Sequence, residues 1–336
     1  MKECMQEDKT TKYNYVLLNF GGDYLEPVFH PLKNYPFVRL YSRAFDGNWL
    51  LQKLCFLHWS AKLNRRIRLP GKRIWYRRLL KQSFTEDKPC CYVFCGGKYI
   101  TEDPGLYACI KKQNPENKCV VFCYDLISKK QWDIEKVRKC CDHIITYDPG
   151  EAKKYRIDLF QAFMYGAISE VTEPQTFEND VYFLGFAKDR LHQIHAVYHT
   201  LSDSGLRCKF LICGVPKEKQ LKGEGLHYCE PIPYRENIEN VKRSKCVLEL
   251  MQGGSDAPTL RTEEAHVYRR KLLTNHLGLV NQPYYDCNNM RVFSEPDEID
   301  VAFLKEPINY SSFDDSYDYS PYQLIAYLEN LLGGGK

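Results

Sequence analysis

Most of the information about the fold lies in residues 246–275, which read CVLELMQGGSDAPTLRTEEAHVYRRKLLTN. The segment 246–250 is an apolar run typical of a buried strand, and a loop of small residues follows it. A helical pattern begins near Pro258 and Thr259, and a second apolar run occupies 271–274. The order strand, loop, helix and strand predicts a βαβ unit.

The loop and the start of the helix have the residue types of an anion site. Gly253, Gly254 and Ser255 allow backbone amides to approach a ligand without interference from a Cβ atom. Amides at the start of a helix, together with its dipole, favour an anion. Glu264 lies one turn further along and is placed to accept hydrogen bonds from a sugar hydroxyl. The pattern indicates a nucleotide diphosphate site; the alternative is an ordinary helix with a solvated Glu264 in a domain that binds no nucleotide.

Two short motifs resemble a known family. Residues 259–264 (TLRTEE) and 271–275 (KLLTN) are similar to the C-terminal half of bacterial glycosyltransferases of the GT-B architecture, of the lipopolysaccharide and capsular polysaccharide biosynthesis kind. The resemblance is good over residues 178–310 and weak in the N-terminal half. It implies that Thr259, Leu260, Arg261 and Glu264 bind a nucleotide-sugar donor, with Glu264 on the ribose. Retaining relatives often carry a second Glu eight positions later, where this chain has Leu272, so the stereochemical outcome stays open.

Length and composition limit the classes of protein to which this chain can belong. The 336 residues are enough for two domains, and 44% hydrophobic with 14% aromatic residues excludes a disordered chain. No apolar run approaches the ~20 residues that cross a bilayer, and the polar residues 1–11 predict no signal peptide. The fifteen cysteines are odd in number, frame no zinc site and lie in many strand-like runs. We interpret them as buried free thiols in a reducing cytosol.

Charge and strand patterns divide the chain in two. Residues 1–170 hold 29 Lys and Arg against 19 Asp and Glu, whereas residues 171–336 hold 18 against 24. Alternating strand and helix patterns in both halves predict α/β structure with two doubly wound Rossmann-like domains. In the GT-B architecture these face each other across a cleft. We expect an acceptor-binding, membrane-facing domain at 1–172, a donor-binding domain at 173–319, and a helix at 320–336 that crosses back and ends in a tail.

Ligands of open α/β sheets bind beyond the carboxyl ends of the strands, which singles out further residues. In the second half these are Lys188 and Arg190, in a loop that resembles the Gly-x-x-Lys-x-Arg element of the family, and Tyr234. The two cations would balance a diphosphate leaving group; the alternative is a solvated pair.

In the first half, an inverting transferase would need one general base to take the acceptor proton. Asp23, Asp125 and His30 are unranked candidates for that role, although an Asp after a strand is often only a helix cap. No Asp-x-Asp motif follows a strand, so a metal-independent reaction without a cofactor is expected.

A basic, aromatic segment stands out in the first half. Nine cations occur within residues 62–82: Lys62, Arg65, Arg66, Arg68, Lys72, Arg73, Arg77, Arg78 and Lys81. Together with Trp75, this mixture is typical of a segment that lies on an anionic membrane. We select Arg73, Trp75, Arg77 and Arg78 as membrane-surface residues. Two alternatives stay open, namely nucleic-acid binding and a solvated face whose aromatic side chains turn into the core.

These patterns together predict a glycosyltransferase at the cytoplasmic, inner face of the cell membrane. Its expected partners are a UDP-sugar donor, a glycan or lipid-linked acceptor and an anionic membrane surface, and no nucleic acid. Two rival functions remain: a nucleotide-sugar epimerase on the same fold, and a non-catalytic α/β protein that binds membrane or nucleic acid.

Overall fold

A computed structural model gives the structure of residues 11–19, 25–42, 49–60, 63, 70–81, 84–96, 98–130, 132–161, 164–166, 176–251, 257, 259–282, 284–313 and 319–333. The chain divides into two compact units. The first combines Met1–Ala167 with Tyr319–Lys336, and the second is the continuous stretch Ile168–Asp318.

The first unit contains a six-stranded parallel sheet built from short apolar runs. Its strands are β1 (Asn14–Asn19), β2 (Val38–Ser42), β3 (Cys90–Cys95), β4 (Lys118–Cys123), β5 (His143–Thr146) and β6 (Asp158–Leu159). Their order across the sheet is β2-β1-β3-β4-β5-β6. The central strands β3 and β4 are buried almost throughout, which explains why they are continuously apolar instead of alternating.

Helices connect the strands of this sheet. They are α1 (Leu25–Phe29), α2 (Trp49–His58), α3 (Arg73–Leu80), α4 (Lys98–Thr101), α5 (Pro104–Gln113), α6 (Ile127–Lys130), α7 (Ile134–Arg138) and α8 (Pro149–Tyr155). Aspartates start three of them, since the side chains of Asp103, Asp133 and Asp148 each accept a hydrogen bond from a first-turn amide. Such N-caps satisfy amides that have no partner within the helix.

The second unit repeats the same plan. Its strands are β7 (Asn179–Phe186), β8 (Cys208–Cys213), β9 (Leu226–Cys229), β10 (Ser244–Glu249), β11 (Lys271–Thr274) and β12 (Met290–Val292). Its helices are α9 (Leu191–Asp203), α10 (Tyr234–Lys242), α11 (Leu260–Val267) and α12 (Val301–Lys305), and the last helix of the chain, α13 (Tyr322–Gly333), belongs to the first unit.

The strand order of the second sheet fixes where a ligand is expected. The order is β12-β11-β10-β7-β8-β9, and every pair of neighbours is parallel. From β7 the chain therefore winds to one side through β8 and β9, and then to the other through β10, β11 and β12. The winding reverses between β7 and β10, and in such sheets ligands usually bind beyond the carboxyl ends of the strands at this point.

The predicted fold class is confirmed: each unit is a doubly wound, Rossmann-like α/β domain. The βαβ unit predicted from residues 246–275 is β10, α11 and β11. Helix α10 begins at Tyr234, directly after Pro233, whose φ of −57° suits the start of a helix. The facing arrangement of the two domains stays a prediction from the family resemblance.

The basic segment differs from expectation at Trp75. Its side chain is buried at 6% exposure, so the selection of Trp75 as a membrane-surface residue is wrong. The apolar positions of α3 (Trp75, Tyr76, Leu79 and Leu80) fall on one face of the helix and pack into the core of the first unit, which excludes them from the surface. Arg73, Arg77 and Arg78 are exposed on the opposite face. The aromatic side chains thus follow the alternative in which they turn into the core.

Across the described part of the chain, helices long and apolar enough to span a bilayer are absent.

Candidate functional site

Several donor-site residues predicted from the sequence lie at the carboxyl ends of β7 and β10. Arg190 ends the loop after β7, and Thr259 stands immediately before α11, the helix that follows β10. The glycine and serine loop at 252–256, as well as Pro258, lies outside the described residues. The site is therefore built from strand ends and the first two turns of α11.

Glu249, the last residue of β10, organises the start of α11. It is 1% exposed, and its Oε1 accepts hydrogen bonds from the Thr259 amide at 3.0 Å, the Thr259 hydroxyl at 2.6 Å and the Thr262 hydroxyl at 2.9 Å. Its Oε2 accepts from the Thr274 hydroxyl at 2.6 Å, at the end of β11. One buried carboxylate thus fixes the helix start to two neighbouring strands, and its negative charge also complements the helix dipole.

This arrangement changes the expected anion site. The Thr259 amide already donates to Glu249, and the Arg261 amide donates to the Thr259 hydroxyl at 3.2 Å. These two amides are satisfied within the protein, so the expectation that free amides of the first turn hold the anion is wrong for them. Side chains at the same edge of the sheet can supply positive charge for an anion.

Two half-buried arginines supply that charge. Arg190 donates through Nη1 to the Leu250 carbonyl and through Nη2 to the Phe186 carbonyl at 3.3 Å. Arg261 donates through Nη2 to the Leu184 carbonyl at 3.0 Å. Both guanidinium groups are thereby fixed on the ends of β7 and β10.

The two arginines are close enough to affect each other. Burial first, and then the positive charge of Arg261, lower the pKa of Arg190 to about 10. Gly185 makes room for this packing, because a Cβ atom there would stand 3.1 Å from Arg190 Nη2 and 3.0 Å from the Phe183 ring. Two like charges held at the ligand-binding edge favour an anion between or beside them.

Glu264 lies on the inner side of α11 and is 1% exposed. Its Oε1 accepts from Asn237 Nδ2 at 3.1 Å, and Asn237 Oδ1 accepts from the Tyr182 hydroxyl at 3.1 Å. Burial raises the pKa of Glu264, while the charge of Arg261 and hydrogen bonds from Tyr234 and Asn237 oppose that rise. Its Oε2 is buried and accepts no hydrogen bond from the described residues.

The structure therefore brings most of the predicted donor residues together. Arg190, Arg261, Glu264 and Tyr234 are linked by direct contacts or by charge, and Tyr234 begins α10 at 9% exposure. Lys188 is exposed in the turn between β7 and α9 with a φ of +46°. Leu260 is the first residue of α11.

The three candidate bases of the first unit are less well defined. Asp23 lies outside the described residues. His30 is exposed and begins a 3₁₀-helix over His30–Asn34, and Asp125 is exposed after β4. The rings of their neighbours Phe29 and Tyr124 pack edge to face with centroids 5.8 Å apart, so His30 and Asp125 lie on adjoining segments at this edge of the sheet.

Three buried polar residues at the site are absent from the sequence-based predictions: Glu249, Asn237 and His276. His276 follows β11, is 6% exposed, and its Nδ1 has no hydrogen-bond partner among the described residues. A signal existed for Glu249, because a single carboxylate inside the apolar run 246–250 must be satisfied by nearby donors once it is buried. No comparable signal marks Asn237 or His276.

Metal ligands do not gather in the described part of the chain: no group of three or more His, Cys, Asp or Glu side chains is placed to bind an ion. A reaction without a metal stays a prediction from the sequence and from the family resemblance.

Comparisons with known proteins find structural likeness alone. No protein-family model matches the chain, and no curated protein matches it. Among solved structures, UDP-GlcNAc 2-epimerase from Methanocaldococcus jannaschii aligns over 95% of this chain and 99% of its own, with 12% identity and a TM-score of 0.49. The DNA-modifying β-glucosyltransferase, studied with and without uridine diphosphoglucose, aligns over 87% of both chains, with 10% identity and a TM-score of 0.45.

A third similar structure is the glycosylation-associated Gap123 complex of Streptococcus agalactiae. It aligns over 78% of this chain with 12% identity and a TM-score of 0.41, and this chain spans only 56% of its length. At such identities and TM-scores these similarities assign neither a family nor a substrate.

Proposed function

We propose that this protein transfers a sugar from a nucleotide-sugar, a UDP-sugar, to a glycan or lipid-linked acceptor in the synthesis of a bacterial surface polysaccharide. The observation that carries the proposal is the pair Arg190 and Arg261, two cations that donate to the Phe186 and Leu184 carbonyls near the end of β7, at the topological switch point of the second sheet. A diphosphate placed there would relieve their mutual repulsion.

The same pair gives a role in the chemistry. When the bond between the anomeric carbon and the diphosphate oxygen breaks, negative charge develops on the leaving phosphate. Fixed guanidinium groups stabilise that charge more strongly in the transition state than in the bound donor, which is the condition for catalysis. Exposed Lys188, in the same loop two residues before Arg190, would add a third positive charge.

Glu264 supplies recognition of the sugar part of the nucleotide. Its Oε1 is held by Asn237, and its Oε2 has no partner among the described residues. A ribose hydroxyl donating to Oε2 would satisfy this buried oxygen and favour the ionised carboxylate. We propose Thr259 and Tyr234 as further donor contacts, and Asp23, Asp125 or His30 as the base of an inverting reaction.

Calorimetric titration of UDP tests the donor site. We expect wild type to bind UDP and Glu264→Ala to bind it about tenfold or more weakly, because a hydrogen bond to a charged group is lost. Glu263→Ala removes the neighbouring carboxylate of α11, whose side chain is only partly buried, and serves as the matched control with unchanged affinity. Thermal unfolding shows that each variant is folded.

The outcomes separate the rival functions. If UDP, GDP and other nucleotides all fail to bind wild type, the donor site is wrong, and the rival function as a non-catalytic protein that binds membrane or nucleic acid is favoured. Conversion of a UDP-sugar without any acceptor would identify an epimerase, and transfer that occurs only with an acceptor identifies a transferase. We also propose that the enzyme works at the inner face of the cell membrane, where a lipid-linked acceptor would be present.

A further inference from the structure

Helices α2 and α3 of the first unit expose four aliphatic side chains. The four side chains, with their exposed fractions, are Leu50 (54%), Leu54 (45%), Leu57 (50%) and Ile74 (69%). Leu50, Leu54 and Leu57 are spaced i, i+4 and i+7, so they share one face of α2. We call these four residues, three on one face of α2 and one on the exposed face of α3, the aliphatic face.

The two helices that carry the aliphatic face are fixed to the same core. Trp75 of α3 donates its indole N–H to His58 at the end of α2, and their rings lie 5.6 Å apart. Tyr76 donates to Asp103 Oδ2 at 2.7 Å, and Trp59 donates to the same oxygen at 3.3 Å. Buried contacts therefore hold both helices in place, and the exposed side chains form part of an ordered surface.

The stretch of chain that carries the aliphatic face is rich in positive charge. Residues 47–85 contain ten Lys and Arg and no Asp or Glu. Among the described residues of this stretch, five cations are exposed, and we call them the basic rim: Lys53, Arg73, Arg77, Arg78 and Lys81. Arg73, Ile74, Arg77 and Arg78 occupy the one face of α3 that does not pack into the core.

We propose that the aliphatic face and the basic rim together bind the surface of an anionic lipid bilayer. Leucine and isoleucine enter the boundary between headgroups and acyl chains, while the cations stay at the level of the phosphates. A second copy of this chain fits less well as the occupant, because it would bring two basic rims together.

Nucleic acid also fits less well. It would need exposed aromatic rings for its bases, whereas Trp59, Trp75 and Tyr76 are buried. The exposed side chains are aliphatic, which is what a lipid interface accepts. The structure thus keeps the membrane interpretation but replaces its apolar component: Leu50, Leu54, Leu57 and Ile74 take the place of Trp75.

This inference deepens the proposed function by naming the surface and the lipid chemistry of its membrane contact. It does not depend on catalysis, since vesicle binding is measured without donor or acceptor. A protein that binds vesicles but not UDP would overturn the proposed sugar transfer alone. One that binds UDP but not vesicles would overturn this inference and the proposed membrane location, but not the sugar transfer.

Co-sedimentation of the full chain with vesicles provides the test. The vesicles are phosphatidylcholine alone, or phosphatidylcholine with about 30% phosphatidylglycerol to give a negative surface potential. We expect wild type to bind the anionic vesicles. The double variant Leu54→Glu/Ile74→Glu should bind about tenfold more weakly than wild type at low salt. The same reduction should remain at about 1 M salt, because salt does not screen apolar insertion. Arg73→Glu/Arg77→Glu should weaken binding about tenfold at low salt only.

Matched controls come from the second unit. Leu221→Glu changes a leucine of similar exposure, 43%, and Lys217→Glu/Lys219→Glu reverses two exposed cations. Both should bind as wild type does. All changed positions are exposed, so thermal unfolding should be nearly unaltered.

Three results would overturn the proposal. In the first, wild type does not bind anionic vesicles. In the second, Leu54→Glu/Ile74→Glu binds them as well as wild type does. In the third, the second-unit control variants lose as much vesicle binding as the first-unit variants. A single-stranded oligonucleotide bound tightly by both wild type and Leu54→Glu/Ile74→Glu, but not by Arg73→Glu/Arg77→Glu, would assign the basic rim to nucleic acid instead.

Discussion

Cys246 is a buried thiol that should make the stability of this protein depend on pH. It lies in β10 between Val181 of β7 and Lys271 of β11, and it is fully buried. Burial raises the pKa of its thiol from 9.0 to about 12, although Lys271 opposes the rise. A thiol in the interior is stable only in its neutral form, since nothing there solvates a thiolate.

The first prediction concerns alkaline pH. The folded thiol of Cys246 keeps its proton to higher pH than the unfolded one, so its contribution to stability is complete below about pH 9 and is lost as pH rises toward 12. In urea unfolding under reducing conditions, Cys246→Ala should therefore show a pH dependence flatter than wild type by up to about 1.4 kcal/mol per pH unit above pH 9.

Cys287 provides the control for this experiment, because it is exposed. Cys287→Ala should keep the wild-type pH dependence. If the free energy of unfolding depends on pH equally in Cys246→Ala and wild type, folding does not hinder ionisation of the Cys246 thiol, and the prediction is wrong.

At the scale of the element, α11 is held less by its own sequence than by its surroundings. It has eight residues, too few for a stable isolated helix. Glu249 joins its first turn to the ends of β10 and β11 through Thr259, Thr262 and Thr274. Glu264 and Arg261 reach the proposed donor site only because this start is fixed.

The second prediction follows from that network. Glu249→Ala would leave three hydroxyls and one amide without their acceptor, so we expect the free energy of unfolding to fall by about 3 kcal/mol and UDP affinity to fall with it. Glu249→Gln keeps one acceptor oxygen and should cost about half as much. Urea unfolding and UDP titration measure both effects, with exposed Glu218→Ala as the control. Unchanged stability in Glu249→Ala would mean that the threonines hold the helix without it.

Helices and strands were predictable from the sequence where the hydrophobic periodicity agrees with the residue types that begin or end an element. The apolar runs of β1, β3, β4, β8 and β11, and the start of α11 at Thr259, follow from strand and cap patterns. Helix α2 was missed because WLLQKLCFLH is apolar on both faces, one toward the core and one toward solvent, so it has little helical periodicity. The burial of Trp75 was missed because nearby cations can equally accompany a lipid-facing or a core-facing ring.

Tertiary contacts at the site could not be predicted from the sequence. Asn237 meets Glu264 across 27 positions, and Arg261 meets the Leu184 carbonyl across 77. No local pattern records such pairings, since they depend on which strand ends are neighbours. The strand order β10-β7 supplies this information, and it becomes visible only in the folded sheet.

At the scale of the whole molecule, the first unit depends on both ends of the chain. Glu329 of α13 accepts hydrogen bonds from the Lys12 amide at 3.0 Å and from the Tyr15 hydroxyl at 2.7 Å, next to or within β1. Leu324, Ile325 and Leu328 on the same helix are completely buried. Helix α13 therefore closes the first unit, whereas the second unit is built from continuous chain.

The last prediction tests this division of the molecule. Glu329→Ala leaves the Tyr15 hydroxyl and two amides of the first strand region without their acceptor, which should destabilise the first unit by about 2–3 kcal/mol. Hydrogen exchange read peptide by peptide should become faster in β1, β3 and α13, while β7, β10 and β11 keep their protection. UDP affinity should be unchanged, because the proposed donor site lies wholly in the second unit. Glu116→Ala, an exposed carboxylate of the first unit, is the control. Faster exchange in both units alike would show that they unfold as one cooperative body, and the independence argued from chain continuity would then be wrong.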